Sequence, residues 1–323
     1  MNHHGGPGCL VCGGNVWRTI RQDKDPYRPG SRTTYEFAKC LSCGLVAQQP
    51  LPSESELQAA YAISHPVFRA AWRCRSWPLW KILRTLTVAR RLRLLRCHAN
   101  GRELLEVGCG AGDFLLAARD AGWRVRAVEY SNRMAEALRR EMGLDVRTGE
   151  LLPGMWPRDA FDVVVFWDVL EHVRDPLAAL ESAEDCLRPG GLVLLSFPTD
   201  TGVERGHRFG GWWAILDPPR HLYFFNQTTL SHICARAGLK LVQYRTPALD
   251  TVWCHLASAW RYADQRVGIP RQLLRFAGWA VVTALILPYL VTQSWRRRGL
   301  NAVAVAIKRE TSKGGEGIRA CAR

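Results

Sequence analysis

The sequence predicts an α/β protein built on a doubly wound parallel sheet, with a small zinc ribbon ahead of it. Three observations carry this. Between residues 102 and 196, short apolar runs alternate with helix-patterned segments, as strands joined by crossover helices do. The first run ends in glycines at every second position, Gly108, Gly110 and Gly112, where a chain can turn from strand to helix close beside a ligand. Upstream stand two Cys-x-x-Cys pairs, Cys9/Cys12 and Cys40/Cys43, each followed by glycine.

Taken in order, residues 1–50 read as the ribbon. Two residues between thiolates let a tight turn aim both sulfurs at one ion, so two such knuckles make a closed, tetrahedral and therefore structural Zn2+ site. "TTYEFAKC" between them alternates like a strand. The other seven of the eleven cysteines lack metal spacing and read as ordinary thiols. An odd cysteine count behind the polar start "MNHHGGPGCLVCGG" predicts a reducing, cytoplasmic setting.

The sheet segments follow. "RELLEVGCG" is a buried strand entering the glycine turn, and "DFLLAARDAG" a helix stopping at Gly122. "WRVRAVEY" is a second strand ending at Glu129, Ser131 caps the helix "NRMAEALRREMG", and "LDVRTG" is a third strand. "FDVVVFWDV" is the fourth; Asp175-Pro176 opens a helix through Leu187, "RPGG" turns, and "LVLLSF" is the fifth. A ligand belongs beyond the strand C-termini, at the switch point by the first strand. A dinucleotide fingerprint requires G-x-G-x-x-G, and counting from Gly108 the sixth position is Asp113, an acid opposed to a pyrophosphate. What stands is E-x-G-x-G-x-G, Glu106 to Gly112, with Glu129 where a carboxylate can accept both hydroxyls of a ribose.

These residues resemble the first two motifs of the class I S-adenosylmethionine-dependent methyltransferases. "RTGE", "FDVVVFWDVLEHVRDP", "LRPGGLVLLSFP" and "TTLSHICARAGLKLV" match later motifs in order, and "NAVAVAIKR" matches the antiparallel last strand. The resemblance implies a seven-stranded Rossmann-like domain over 99–310, with a helical insertion, 249–299, before the last strand. It implies S-adenosylmethionine held by Glu106, Gly108, Cys109 through its backbone, Gly110, Gly112, Glu129 and Tyr130, with Glu150 facing the adenine and Trp167 and Asp168 along the cofactor.

Methyl transfer needs an aligned nucleophile and, for a hydroxyl or carbon acid, a base. His172 in "LEHV" and His221 in "DPPRHLYFFN" are the candidates, each with a structural role as the alternative. His207 with Trp212 and Trp213 suggests a sugar platform or lid core.

The formal charge of +15 favours an anionic partner. From Arg69 to Arg96 there are nine basic residues and no acid, so 51–98 reads as a basic amphipathic helical linker that either meets anionic lipid or packs on the catalytic domain. Residues 276–295 are uncharged and long enough to span a bilayer. One crossing would separate "NAVAVAIKR" from its sheet, so a helix dipping in at Pro288, peripheral or monotopic association, or a lid are the options. Residues 311–323 read as a disordered tail. The resulting expectation is a cytoplasmic methyltransferase acting on a small or amphiphilic acceptor, such as a lipid-linked sugar, a polysaccharide precursor or a quinone-like metabolite. An RNA methyltransferase is the alternative, although "WDVLEH" lacks the Asn/Asp-Pro-Pro-aromatic motif of base-amino enzymes. An inactive scaffold is the second.

Overall fold

A computed structural model describes residues 8–28, 30–61, 78–205, 216–248, 281, 285, 287–289 and 291–309. The chain begins with three antiparallel strands, β1 (Trp17–Asp23), β2 (Tyr35–Cys40) and β3 (Val46–Gln48). A helical segment at 54–61 follows. Helix α1 (Pro78–His98) then leads into the central domain.

Its first half alternates β4 (Glu103–Val107), α2 (Asp113–Asp120), β5 (Arg124–Glu129), α3 (Asn132–Met142) and β6 (Asp145–Thr148). The caps are those the sequence supplies: Ser131 accepts from Met134 N, and Gly143 closes α3 at φ 61°, where a side chain would be strained. Next come β7 (Phe161–Trp167), a single 3-10 turn (Leu170–His172), α4 (Pro176–Cys186) and β8 (Leu187–Pro198). Asp175 caps α4 by accepting from Ala178 N at 3.0 Å. The expected turn at "RPGG" is instead an excursion inside β8. Phe161 pairs with Leu187 and Val163 already with Leu192, so the extra residues bulge without ending the strand. The chain finishes through α5 (Asp200–Arg205), β9 (Tyr223–Phe224), α6 (Gln227–Arg236), β10 (Leu239–Arg245) and β11 (Asn301–Lys308).

The large sheet has seven strands in the order β10-β11-β8-β7-β4-β5-β6. Only β11 runs against its neighbours, pairing antiparallel with both β8 and β10. The order reverses between β4 and β7, which creates a crevice beyond their C-terminal ends. Strand alternation sorts the core. Val164 and Phe166 face α4 and α6, while Val163, Val165 and Trp167 face α1 and α2.

The cysteine module is built into this architecture. Its strands form a four-stranded sheet, β1-β2-β3-β9, whose last member comes from the central domain. Cys9, Val11, Trp17, Cys40 and Leu45 share one apolar cluster with Leu105, Val107 and Leu230.

The C-terminal half of α1 packs on the domain, with Leu95 fully buried beside Phe114 and Trp123. Its earlier apolar residues do not continue that stripe, since Ile82 and Leu86 are each 56% exposed. Arg84 and Arg91 of this helix pair with Asp113 and Asp168. Of the seven cysteines read as thiols, Cys97 differs: it is disulfide-bonded. Most of 249–299, all of 311–323, and His207, Trp212 and Trp213 lie outside the described residues. Among the described residues, no helix is long and apolar enough to cross a membrane.

Candidate active site

The loop after β4 carries all three glycines at positive φ, 69°, 51° and 74° for Gly108, Gly110 and Gly112. Their reasons differ. A Cβ on Gly108 would lie 2.5 Å from Val169 Cγ2, and one on Gly112 2.8 Å from Leu138 Cδ2, so these two let the loop pack on its own protein. A Cβ on Gly110 would meet nothing within 4 Å, so the bare edge facing the crevice is at Gly110. Gly108→Ala combines left-handed strain with overpacking, and a loss of about 2–4 kcal/mol is expected in denaturant unfolding. Cys109 points inward, buried with Leu115, Ala127 and Leu138, and burial pushes its thiol up. Its part in the crevice is confined to backbone.

Glu129 closes the loop from the tip of β5. Its Oε2 accepts from Gly110 N at 2.8 Å and its Oε1 from Ser131 N at 2.9 Å. Glu106, on β4, is 3% exposed and its Oε2 has no hydrogen-bond partner. Burial raises its carboxyl to about 8; Arg91 opposes the rise, and Glu129 and Asp113 add to it. An anionic form of Glu106 therefore needs a cation that the protein supplies only weakly. Tyr130 is 47% exposed and donates to Glu54 Oε1 at 2.9 Å, tying this rim to the helical segment 54–61. Glu150 is exposed, and partial burial followed by Glu54 raises its carboxyl.

On the β7 side, Asp168 holds a left-handed φ of 58°, rare for a non-glycine residue. A latch keeps it there. Asp168 N donates to the Ser196 carbonyl at 2.9 Å, Ser196 Oγ donates to Asp168 Oδ1 at 3.0 Å, and Arg91 donates to Oδ2 at 2.7 Å. Asn301 Nδ2 lies 3.5 Å from Oδ1. Trp167 turns into the helix-covered core, edge-on to Phe114 at 5.4 Å with Arg91 stacked above its ring at 4.8 Å. Arg91, Ser196 and Asn301 carry no motif of their own; the nine-fold basic run around Arg91 hides it.

The turn after Asp168 brings His172 beside His221, with ring centres 4.5 Å apart. His172 Nδ1 lies 3.0 Å from the Arg220 carbonyl and 3.2 Å from Tyr61 Oη. A carbonyl only accepts, so Nδ1 carries the hydrogen and Nε2 the lone pair. Burial lowers the His172 pKa to about 3, His221 lowers it further, and Asp217 opposes. The ring is thus neutral at physiological pH. Glu171 is 1% exposed with an unpartnered Oε2, and burial, then Asp168, raises its carboxyl well above the ordinary value.

The four knuckle cysteines converge as the spacing predicts. Cys9 and Cys43 sulfurs are 3.5 Å apart, Cys12 and Cys40 sulfurs 3.6 Å, and all four lie within 4.8 Å of one another. Tetrahedral Zn–S bonds place sulfurs about 3.8 Å apart, so the donor set fits a Zn2+ ion. Backbone bonds from Gly13 N to Cys9 O at 2.7 Å and Gly44 N to Cys40 O at 2.9 Å shape the two knuckles. Burial pushes the Cys9 thiol up to about 11, a cost that metal binding would relieve.

A seven-stranded sheet reversing at β4/β7, with a glycine loop and a strand-end carboxylate at the reversal, defines an adenosyl-cofactor domain of methyltransferase type. The methyltransferase domain family matches residues 79–244, a little over half of the 323 residues, and the chain belongs to that family. A probable S-adenosylmethionine-dependent methyltransferase of Mycolicibacterium smegmatis is 35% identical over 142 residues, 44% of this chain and 53% of that protein. A ubiquinone biosynthesis O-methyltransferase of Azoarcus sp. is 30% identical over 160 residues, 45% of this chain and 67% of that protein. The chain thus spans about half to two thirds of the length of these two relatives. The crystal structure of Burkholderia thailandensis 1,6-didemethyltoxoflavin-N1-methyltransferase is similar at 16% identity, covering 84% of this chain and 98% of that one with a TM-score of 0.47, too loose a likeness to carry an argument.

Proposed function

We propose that this protein transfers a methyl group from S-adenosylmethionine to a small, hydroxylated, quinone-like acceptor, and that the four cysteines hold a structural Zn2+ ion. The observation that carries the cofactor reading is the buried, unpartnered oxygen of Glu106, near the end of the strand that enters the loop with its bare edge at Gly110. A cationic ligand suits that oxygen, and Glu129, held by one bond from the loop at Gly110 and one from Ser131, stands ready for a ribose diol. When bound, the cofactor supplies a methyl group already activated on a sulfonium. The chain's share is to align the acceptor, exclude water and take the acceptor's proton, and His172 is the proposed base because its Nδ1 hydrogen goes to the Arg220 carbonyl, which leaves Nε2 as the ring's proton-accepting nitrogen. The acceptor class is supported by relatives named ubiquinone biosynthesis O-methyltransferases.

The test is calorimetric binding of S-adenosylmethionine, followed by release of S-adenosylhomocysteine with catechol- and hydroquinone-type acceptors. A chain that binds neither adenosyl compound overturns the reading.

The Glu106 carboxyl gives this binding a proton signature. Because its folded value is raised to about 8, the group favours stability below the ordinary carboxylate range and loses that contribution as pH rises through 8. A cation bound against it favours the ionised form, so binding at pH 7 is expected to release close to one proton, falling toward none about a unit or two above pH 8. Calorimetry in buffers of different ionisation enthalpy reads the release, and Glu106→Gln is expected to abolish it.

A further inference from the structure

Arg220 is 1% exposed and joins three parts of the chain. Its Nη1 donates to Asp25 Oδ1 at 3.2 Å and its Nη2 to Asp25 Oδ2 at 3.4 Å, a two-pronged pairing with an acid that follows β1. Nη1 also reaches the Pro218 carbonyl at 3.2 Å and Asp217 Oδ1 at 3.5 Å, and Nη2 donates to the Ala60 carbonyl at 3.0 Å. The guanidinium stacks over the Tyr27 ring at 4.5 Å. Asp25 and Asp217 are themselves buried, at 4% and 6% exposure. Desolvating such a cluster costs several kcal/mol, and apolar side chains of the same volume commonly serve stability as well or better.

The geometry of the cluster continues through the backbone. The Arg220 carbonyl receives the His172 Nδ1 hydrogen at 3.0 Å, Leu222 N donates to the Glu171 carbonyl at 2.8 Å, and Gln48 N at the end of β3 donates to the Leu222 carbonyl at 2.9 Å. Segment 217–222 is thus gripped by the cysteine module on one side and grips the Glu171-His172 turn on the other. We propose that Asp25 and Arg220 are positioning residues: through them the N-terminal module holds segment 217–222 so that the Arg220 carbonyl fixes the tautomer and orientation of His172. This deepens the reading of His172 as the base and rests on it for its functional meaning. The groups facing His172 are the Tyr61 hydroxyl from 54–61, His221 and Asp217 from the clamped segment, and Asp168 and Glu171 from its own turn. Releasing the segment removes the carbonyl and admits water, so the ring gains its second tautomer and binds a proton near its ordinary value.

The test is histidine ring nitrogen NMR on the full chain, with His172→Gln to assign the signal, alongside calorimetry of S-adenosylhomocysteine binding. In the unaltered chain His172 is expected to show the Nδ1–H tautomer and not to titrate between about pH 5 and 8. In Asp25→Asn and in Arg220→Lys, which cannot span Asp25 and the Ala60 and Pro218 carbonyls together, mixed tautomers and a titration inside that window are expected. S-adenosylhomocysteine affinity is expected to stay within about threefold, since Glu129 holds the glycine loop from β5 by bonds that involve neither Asp25 nor Arg220. If a single variant fails to fold, Asp25→Leu with Arg220→Met and Asp217→Asn removes the three charges together and gives the same readout. A folded variant whose His172 signal is unchanged overturns the clamp. Absence of S-adenosylhomocysteine binding in the unaltered chain overturns the cofactor reading instead, and the NMR result still decides the clamp.

Discussion

Replacing Glu129 by glutamine is expected to weaken S-adenosylmethionine binding by about a hundredfold. Each carboxylate oxygen already accepts one backbone hydrogen, from Gly110 at 2.8 Å and from Ser131 at 2.9 Å, which leaves further lone pairs aimed at the crevice. Glutamine replaces one oxygen by an NH2 group, so one of those two backbone donors faces another donor. That mismatch is present with and without ligand and lowers stability, whereas losing a charged acceptor for a ribose hydroxyl costs about 1.5–3 kcal/mol of binding. The upper end of that range corresponds to about two factors of ten in affinity. Glu129→Asp keeps the charge but shortens the reach, and an intermediate loss of about tenfold is expected. Calorimetry decides. Binding by Glu129→Gln within about threefold of the unaltered chain would remove the carboxylate from the cofactor site.

The parts of this site legible in the sequence are those where local backbone geometry dictates residue type. Gly110 must carry no side chain because the crevice opens there at φ 51°, and Glu129 must end its strand where the loop amide arrives. Gly13 and Gly44 mark the knuckles by the same logic, at φ 73° and 84°. What stayed hidden depends on partners far apart in the chain. Arg91 and Asp168 are separated by 77 positions and Arg220 and Asp25 by 195, and no local pattern separates these arginines from solvated ones. Strand β9 is two residues long and follows the loop "DPPRHL", so its membership of the N-terminal sheet is decided by pairing with β3 rather than by propensity. Trp167 illustrates the limit of motif matching. Its place in the motif lays it along the cofactor, whereas alternation along β7 turns its ring into the helix-covered core with Phe114.

Removing the proposed Zn2+ ion from the cysteine cluster, by chelation or by Cys40→Ser, is expected to unfold the four-stranded N-terminal sheet and to release segment 217–222 with it. Two of its four strands are only three and two residues long, so the knuckles carry much of the task of holding the ends of β1 and β2 in place. Binding of structural zinc is worth about 10–16 kcal/mol in peptide systems, comparable to the stability of a whole domain. Loss of the ion therefore leaves Cys9, Cys40 and Leu45 held against Leu230 by apolar burial alone. Hydrogen exchange reads the outcome: amides of Phe37, Val46 and Leu222 are expected to lose protection, while Gly110, held by Glu129 of β5 outside the cysteine module, keeps it. Elemental analysis is expected to return one zinc per chain before chelation. A zinc-free chain that protects the β2, β3 and β9 amides as before would mean that apolar packing alone sustains the module. Because Gln48 and Leu222 share one hydrogen bond and Leu222 and Glu171 the next, sheet loss and histidine release are expected at the same chelator concentration. Two separate midpoints would show that the buried Arg220 cluster holds its segment without help from the metal.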